Sequence, residues 1–170
     1  MKKKSPSDSL ANMTELVLPN DTNTLGNLMG GRLLHLMDIV TAISAARHCN
    51  RVVVTASVDF VDFTSPIELG EIVLLEAKVT RAFTTSMEVQ VTVHAENMQS
   101  GNRRYCNTAF YTFVAVDQSG RPIPVAQVVP ETDEEKELYE GAMRRRELRL
   151  ISAKRMKPED ATHLKKIFLA

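Results

Sequence analysis

The feature that most restricts the fold of this chain is a helical segment that is apolar on almost every side. From about Leu28 to Arg47, apolar residues recur at helical spacing and cover most of the circumference. These residues are Leu33, Leu34, Leu36, Met37, Ile39, Val40, Ala42, Ile43, Ala45 and Ala46. A surface helix carries a single apolar stripe, whereas a helix of this kind must be enclosed by other elements. The polar residues from His48 to Asn50 are expected to end it.

The segments available to enclose this helix have the pattern of β-strands. A short strand between Met13 and Pro19 precedes the helix. Four long runs follow it, at Val52–Phe63, Glu71–Phe83, Ser86–Asn97 and Arg103–Val116. Their short connections favour antiparallel pairing, because parallel neighbours need long crossovers. The sequence therefore predicts an α+β architecture, a curved antiparallel sheet wrapped around one long central helix, which is called the hotdog fold.

The two ends of the chain are expected to lie outside this unit. Residues 1–11 are polar and charged and are predicted to form a flexible tail, and residues 12–130 the hotdog domain. Residues 131–170 are predicted to form a C-terminal helical extension, with an exposed helix at Glu131–Lys157. This helix is acidic at its start and basic at its end, which complements the helix dipole. A second interpretation is that its basic end holds a phosphate-bearing ligand or a neighbouring subunit.

Composition excludes several classes of function. A chain of 170 residues is long enough to bury a core as one domain without metal or disulfide bonds. Its formal net charge is zero, which argues against nucleic acid or an anionic membrane as a partner. Cys49 and Cys106 match no metal or redox spacing and are expected to be reduced. The sequence has neither a signal-peptide pattern nor a stretch able to span a bilayer, so we expect a cytoplasmic protein.

The candidate catalytic residues lie where a polar loop meets the start of the helix. Asp38 is about two turns into the helix among apolar neighbours, and a partly buried carboxylate can act as a general base or a nucleophile. Asn23 in the loop can position water, although asparagine in such turns often serves the loop alone. Gly30 and Gly31 leave the first backbone N–H groups of the helix open to an oxyanion, or simply permit close packing. Together these groups suggest hydrolysis of an acyl bond.

His35, three residues before Asp38, offers a different chemistry. Hotdog-fold dehydratases use a histidine together with a carboxylate, and His35 is the residue here that fits such a pair. A histidine on a buried helix is more often structural, and no second histidine lies near in the sequence. The dehydratase interpretation therefore depends on His35 alone.

The segment from Asp21 to Asp38 closely resembles the signature of the hotdog-fold acyl-CoA thioesterases, the cytosolic acyl-CoA hydrolase family. Further blocks of resemblance follow in order at Ala45–Asn50, Val54–Asp59, Thr85–Val89, Arg104–Tyr105, Ala109–Phe113 and Val128–Lys136. The resemblance spans about residues 13–155. It is nearest to the bacterial single-hotdog enzymes related to the two-hotdog brain acyl-CoA hydrolase.

This resemblance implies both an assembly and a mechanism. Two hotdog domains would pair with continuous sheets, with Asn23 and Asp38 of each site contributed by opposite subunits. Asp38 would be the general base or nucleophile, Asn23 would position water or substrate, and Gly30 and Gly31 would polarise the thioester oxygen. Each dimer would hold two equivalent sites, and family members often assemble further as trimers of dimers. The substrate would be acyl-CoA, with no metal or nucleotide cofactor.

The resemblance also implies residues that contact coenzyme A. Thr85 and Ser86, with Arg81 just before them, would lie on the turn that lines the CoA channel, and Arg104 is a further phosphate-binding candidate. The alternative function is a non-catalytic acyl-CoA-binding module, a sensor or regulator. Such a module should lack Asn23 or Asp38 or carry an added DNA-binding domain. This chain has both residues and no room for such a domain, which favours the enzyme.

Overall fold

The computed structural model describes residues 3–166 and contains one five-stranded antiparallel sheet. In spatial order its strands are β2 (Ala11–Leu16), β4 (Ile72–Ala82), β5 (Ser86–Glu96), β6 (Arg103–Val116) and β3 (Val52–Val58). β5 and β6 are paired from Ser86, opposite Val114, to Glu96, opposite Arg103. The helix α1 (Gly30–Cys49) packs across one face of this sheet. The predicted central helix and antiparallel sheet are confirmed.

The core lies between α1 and the inner face of the sheet. Alternate residues of β4, β5 and β6 point inward and are buried, as the period of a strand requires. They include Val73, Leu75, Val79, Met87, Val89, Val91, Val93, Ala109, Tyr111 and Phe113. The turn between β4 and β5 is closed by a hydrogen bond from Phe83 N to Ser86 O of 2.7 Å. This arrangement holds α1 in one orientation over the sheet.

One chain encloses α1 on one side only. Leu33, Leu36, Met37 and Val40 face the sheet and are buried. Gly31, His35 and Ile43 lie on the opposite side and are exposed. The complete enclosure expected from the apolar circumference is therefore absent within a single chain.

β3 forms one edge of the sheet, and its apolar residues are also exposed. Val52, Val54 and Val58 are between 44% and 67% exposed, and Phe60, just beyond the strand, is 88% exposed. A β-bulge between Thr55 and Ser57 shifts the register against β6 and reverses which side chains point inward. The strand ends at Val58, five residues before the predicted end, because the chain then leaves the sheet.

The N-terminal segment, expected to be a flexible tail, follows a defined path from Lys3 onward. β1 (Lys3–Lys4) pairs in parallel with β7 (Gln127–Val128). Ser9 is fully buried, and its Oγ accepts a hydrogen bond from Val79 N of 2.9 Å. Residues 1 and 2 lie outside the described residues.

The C-terminal extension contains α2 (Asp133–Ser152) and the short α3 (Thr162–Lys165). α2 begins with a capping box between Thr132 and Glu135, and its basic half packs on the outer face of the sheet. Glu147 is buried and accepts hydrogen bonds from the backbone of His163 and Leu164, so α3 is fastened to α2. Residues 167–170 of the predicted extension lie outside the described range. Between residues 3 and 166, no helix combines the length and apolar character needed to cross a membrane.

Candidate active site

Asp38 lies on the side of α1 that the sheet leaves uncovered, next to the edge strand β3. The Thr55 hydroxyl donates a hydrogen bond to Asp38 Oδ1 at 2.8 Å. Asp38 Oδ2 accepts no hydrogen bond from any residue between 3 and 166. Burial, and after it the negative charge of Asp38, raises the pKa of Tyr111 to about 12. One carboxylate oxygen is thus fixed and the other is available to a water molecule or a substrate.

Thr55 owes its position to the register of β3. It lies opposite Phe113, an inward-pointing residue of β6, whereas Ser57 beyond the bulge lies opposite the outward-pointing Thr112. Thr55 therefore faces α1 at the level of Asp38. Sequence analysis did not identify Thr55, because threonine is an ordinary strand residue and only its place in the block Val54–Asp59 gave a signal.

Asn23 lies in the loop just before α1 and its carbonyl serves that loop. Asn23 Oδ1 accepts hydrogen bonds from Leu25 N at 2.9 Å and from Asn27 N at 3.1 Å. Among residues 3–166 its side-chain NH₂ group has no acceptor, and the residue is exposed. An ion pair of 2.9 Å between Arg32 and Asp21 fastens the loop to the helix. The loop therefore fixes the orientation of an amide whose two donors remain free.

Gly30 and Gly31 form the start of α1 and present open backbone donors. Within the described chain their N–H groups have no acceptor, since the first backbone bonds of the helix run from Arg32 and Leu33 to Met29 O. A Cβ on Gly31 would meet nothing within 4 Å, and one on Gly30 would meet the Phe63 ring at 3.6 Å. Gly31 is thus accessible to a ligand, and Gly30 lies against an aromatic ring.

Within one chain the backbone N–H groups of Gly30 and Gly31 do not reach the Asp38 carboxylate. Gly31 and Asp38 are seven residues apart, which places them on the same side of α1 but about 10 Å apart along its axis. An oxyanion must lie about 3 Å from its donors. One thioester group therefore cannot contact both Gly31 N–H and Asp38 of the same chain.

The predicted CoA-binding residues fall at opposite ends of the sheet. Arg81, Thr85 and Ser86 lie at the β4–β5 turn, whereas Arg104 pairs opposite Ala95, about 30 Å further along β5. Arg104 Nη2 donates to Glu71 Oε2 and to Pro66 O, both at 2.7 Å. The hydrogen bond from Arg104 outweighs burial and lowers the pKa of Glu71. Arg104 thus fixes a loop, and the structure does not bring it to the other three residues.

Neither His35 nor His48 forms a hydrogen bond with a carboxylate of residues 3–166. His35 is exposed and makes no hydrogen bond with residues 3–166, while His48 is buried and its Nε2 is 2.8 Å from Ala126 O. Burial lowers the pKa of His48 below its ordinary value of 6.5. In the described part of the chain no three His, Cys, Asp or Glu side chains are arranged to hold a metal ion.

Comparison with known proteins identifies the family. The family model of the thioesterase superfamily matches residues 25–101. The uncharacterized acyl-CoA thioester hydrolase YkhA of Bacillus subtilis is 49% identical over 132 residues, which are 78% of this chain and 77% of that protein. This chain belongs to the acyl-CoA thioester hydrolase family of the thioesterase superfamily.

Solved structures of acyl-CoA thioester hydrolases have the same fold. An apo-hexameric acyl-CoA thioesterase is 46% identical, with a TM-score of 0.87 over 90% of this chain and 98% of that one. The acyl-CoA hydrolase of Staphylococcus aureus, in complex with butyryl coenzyme A, coenzyme A and coenzyme A disulfide, is 39% identical. Its TM-score is 0.82 over 89% of this chain and 94% of that one. Three further structures of this enzyme carry an alanine in place of an aspartate, an asparagine or a threonine. The hotdog fold predicted from the sequence is confirmed.

Proposed function

We propose that this protein hydrolyses the thioester of fatty acyl-CoA to a free acid and coenzyme A, with Asp38 as its central residue. The observation that carries the proposal is a half-buried carboxylate with one oxygen held by Thr55 and the other free. The Staphylococcus aureus variants support it. The aspartate replaced in that enzyme lies 15 residues after the asparagine and 17 before the threonine. Asn23, Asp38 and Thr55 have the same spacing.

In this proposal each group has one chemical role. Asp38 Oδ2 removes a proton from a water molecule that attacks the thioester carbon, or attacks that carbon itself. The free NH₂ group of Asn23 holds the water or the substrate. The Gly31 N–H and the N-terminal dipole of α1 stabilise the oxygen as it becomes negative, and the tetrahedral intermediate then releases the CoA thiolate. These groups suffice without a metal or nucleotide cofactor.

The active site is proposed to be shared between two subunits. One chain separates Gly31 from Asp38 by about 10 Å along α1, which supports a site completed by a second copy. The uncovered side of α1 and the apolar edge strand β3 support pairing of two copies with continuous sheets, because an exposed edge offers unpaired backbone groups. Such a dimer has two equivalent sites. Assembly into a trimer of dimers is supported by the related hexameric thioesterase.

The CoA portion of the substrate is proposed to pass along the β4–β5 turn. Thr85 and Ser86 lie on this turn, with Arg81 beside them. Arg104 remains a predicted CoA contact only for substrate bound against another subunit, because in its own chain it is paired with Glu71. We also propose a cytoplasmic location, which is supported by the 40% identity to the cytosolic acyl coenzyme A thioester hydrolase of Rattus norvegicus. The proposed function involves neither nucleic acid nor a membrane as a partner.

Thiol release from a panel of acyl-CoA esters, short to long, tests this function. Wild type should hydrolyse at least one chain length, and the Asp38→Ala and Asn23→Ala variants should each lose about a hundredfold or more in kcat while remaining assembled. Tight binding of acyl-CoA without thiol release at any length would instead identify the protein as a binding module. His35→Ala should retain thiol release, and loss of thiol release in this variant would show that hydrolysis depends on His35 as well as on Asp38.

A further inference from the structure

The helical turn that carries Asp38 contacts the sheet through a second residue, Tyr111 of β6. The Tyr111 side chain is buried beneath α1, and its hydroxyl group donates a hydrogen bond to Leu34 O at 3.3 Å. Ala109 and Phe113, the inward-pointing residues on either side of it, are apolar and buried. A hydroxyl group among apolar side chains costs free energy unless it is hydrogen-bonded. The contact with Leu34 offsets this cost.

The carbonyl group that Tyr111 contacts also supports the backbone of Asp38. In an α-helix each N–H group donates to the carbonyl oxygen four residues earlier, so Leu34 O accepts the hydrogen bond of Asp38 N. Both residues lie well inside α1. The Tyr111 hydroxyl group therefore connects the sheet to the carbonyl group on which the amide of Asp38 depends.

Tyr111 and Thr55 lie at neighbouring positions of the sheet. Tyr111 is opposite Val58 of β3, and Phe113, two residues further along β6, is opposite Thr55. The rings of Tyr111 and Phe113 are nearly parallel, at 15°, with their centres 6.3 Å apart. The carboxylate of Asp38 and the backbone of its turn thus contact two adjacent strands.

The Tyr111 hydroxyl group remains a donor at neutral pH. Its pKa is raised to about 12, first by burial and then by the negative charge of Asp38. A protonated hydroxyl group can keep its hydrogen bond to Leu34 O. A phenolate at this position would lose that bond and would repel the Asp38 carboxylate.

We propose that Tyr111 is a positioning residue for Asp38, and that its hydroxyl group fixes the distance of the Asp38 turn from the sheet. The proposal rests on the function inferred above, in which Asp38 is the catalytic carboxylate. Tyr111 touches no substrate, because its side chain is buried beneath α1. A catalytic group displaced by about 1 Å can lose about a hundredfold in rate, so a single hydrogen bond at this point affects catalysis.

Steady-state kinetics of Tyr111→Phe test the role in catalysis. This substitution removes the hydroxyl group and keeps the ring. We expect kcat for acyl-CoA to fall about fivefold and KM to stay within about a factor of two of wild type, because the lost contact does not bind substrate. Tyr105→Phe is the matched control, since Tyr105 also lies on β6 but is 57% exposed, and it should behave as wild type. An unchanged kcat in Tyr111→Phe, or a rise in KM alone, would overturn the proposal.

Combining Tyr111→Phe with Thr55→Val tests whether both residues act on the same carboxylate. Once Thr55 no longer holds Asp38, the loss of the Tyr111 hydroxyl group should matter less. The double variant should therefore lose less kcat than the product of the two single losses. Losses that multiply would show two independent effects and would count against the positioning of Asp38 by Tyr111.

Amide hydrogen exchange tests the contact without depending on hydrolysis. The Asp38 amide should exchange about fivefold faster in Tyr111→Phe than in wild type, because Leu34 O loses its contact with the sheet. The amide of Ala46, about two turns further along α1, should exchange at the wild-type rate.

This measurement separates the proposal from the function on which it rests. If wild type releases no thiol, the proposed function fails, whereas faster exchange at Asp38 alone would still support the anchoring of its turn by Tyr111. Equal exchange at Asp38 in both proteins, or equally faster exchange at Asp38 and Ala46, would rule out that anchoring.

Discussion

Single residues decide the orientation of the Asp38 carboxylate. The hydrogen bond from Thr55 fixes one oxygen of Asp38 and so selects the orientation of the carboxylate. Asp38 is a candidate from the sequence because it is a carboxylate among apolar helix residues, and Asn23, Gly30 and Gly31 are candidates because they lie where the polar loop meets the start of α1; their roles stay predictions. Thr55 could not be predicted, since its role arises from a contact between β3 and α1 that no local pattern encodes.

We expect Thr55→Val to lower kcat for acyl-CoA hydrolysis about tenfold. The nearly isosteric valine keeps the shape of the strand but removes the donor, so Asp38 loses the hydrogen bond that orients it. Steady-state kinetics on wild type, Thr55→Val and Thr55→Ser check this, with Thr55→Ser retaining near wild-type activity. Full activity of Thr55→Val would show that the hydrogen bond is dispensable.

The ion pair between Glu71 and Arg104 should make stability depend on pH. Because the folded pKa of Glu71 is lowered from its ordinary value of 4.5, the pair stabilises the fold above that value. This stabilisation is lost as the pH falls through the lowered pKa. Since the Arg104 side chain is 40% exposed, Glu71→Gln should reduce the free energy of unfolding by only about 1 kcal/mol at pH 7.

Urea unfolding at pH 7 and at a series of pH values below 4.5 measures this effect. The difference between wild type and Glu71→Gln should narrow in acid, where wild-type Glu71 becomes protonated. Glu15→Gln serves as the control, because Glu15 forms no ion pair with residues 3–166. If the difference in the free energy of unfolding between wild type and Glu71→Gln stayed constant or grew toward acid, the stabilising role of the ionised Glu71 would be contradicted.

At the level of elements, α2 is fastened to the sheet by a buried ionic cluster. Glu88 of β5 is fully buried and accepts hydrogen bonds from Arg145, Arg149 and Thr80. Arg145 also stacks on the Phe110 ring at 3.9 Å. The same ionic cluster includes Asp59, just beyond β3, whose Oδ2 lies 2.7 Å from Arg149 Nη1. It thereby links α2 to the strand that carries Thr55.

Glu88→Ala should reduce the free energy of unfolding by about 3 kcal/mol, because Arg145 then loses its buried partner and Arg149 keeps only Asp59. Glu96→Ala is the matched control on the same strand. Its partner Arg103 is 65% exposed, so the expected loss is below about 1 kcal/mol. Chemical denaturation of the two variants checks this, and equal losses would show that the buried cluster contributes no more than a surface pair.

The limits of a strand could be predicted where it has a neighbouring strand on each side. β6 has the predicted limits, Arg103–Val116, and pairs with β5 on one side and β3 on the other, although its register against β5 shifts at Cys106. β3 was predicted too long, since the bulge after Thr55 reverses the inward side and the chain leaves the sheet after Val58. The docking of α2 on the sheet depends on Glu88, which is distant from α2 in the sequence. The acidic start and basic end of the helix therefore did not indicate this docking.

For the whole molecule, the main finding is that one chain leaves α1 partly uncovered. The apolar circumference of α1 correctly indicates that it needs enclosure, but a sequence cannot say which chain provides it. Ile43 on α1 and Val52 and Val54 on β3 remain exposed in the single chain. The separation of Gly31 from Asp38 along α1 supports the proposal that a complete site is formed by two copies.

Complementation between two inactive variants tests the shared site most directly. Asn23→Ala and Asp38→Ala are expressed separately and together in equal amounts, and acyl-CoA hydrolysis is measured for each preparation. If Asn23 and Asp38 of one site come from different subunits, half of the pairs are mixed and each mixed pair has one intact site. The co-expressed protein should then recover about a quarter of the wild-type activity. Activity no higher than the mean of the two separate variants would show that each site is built within a single chain.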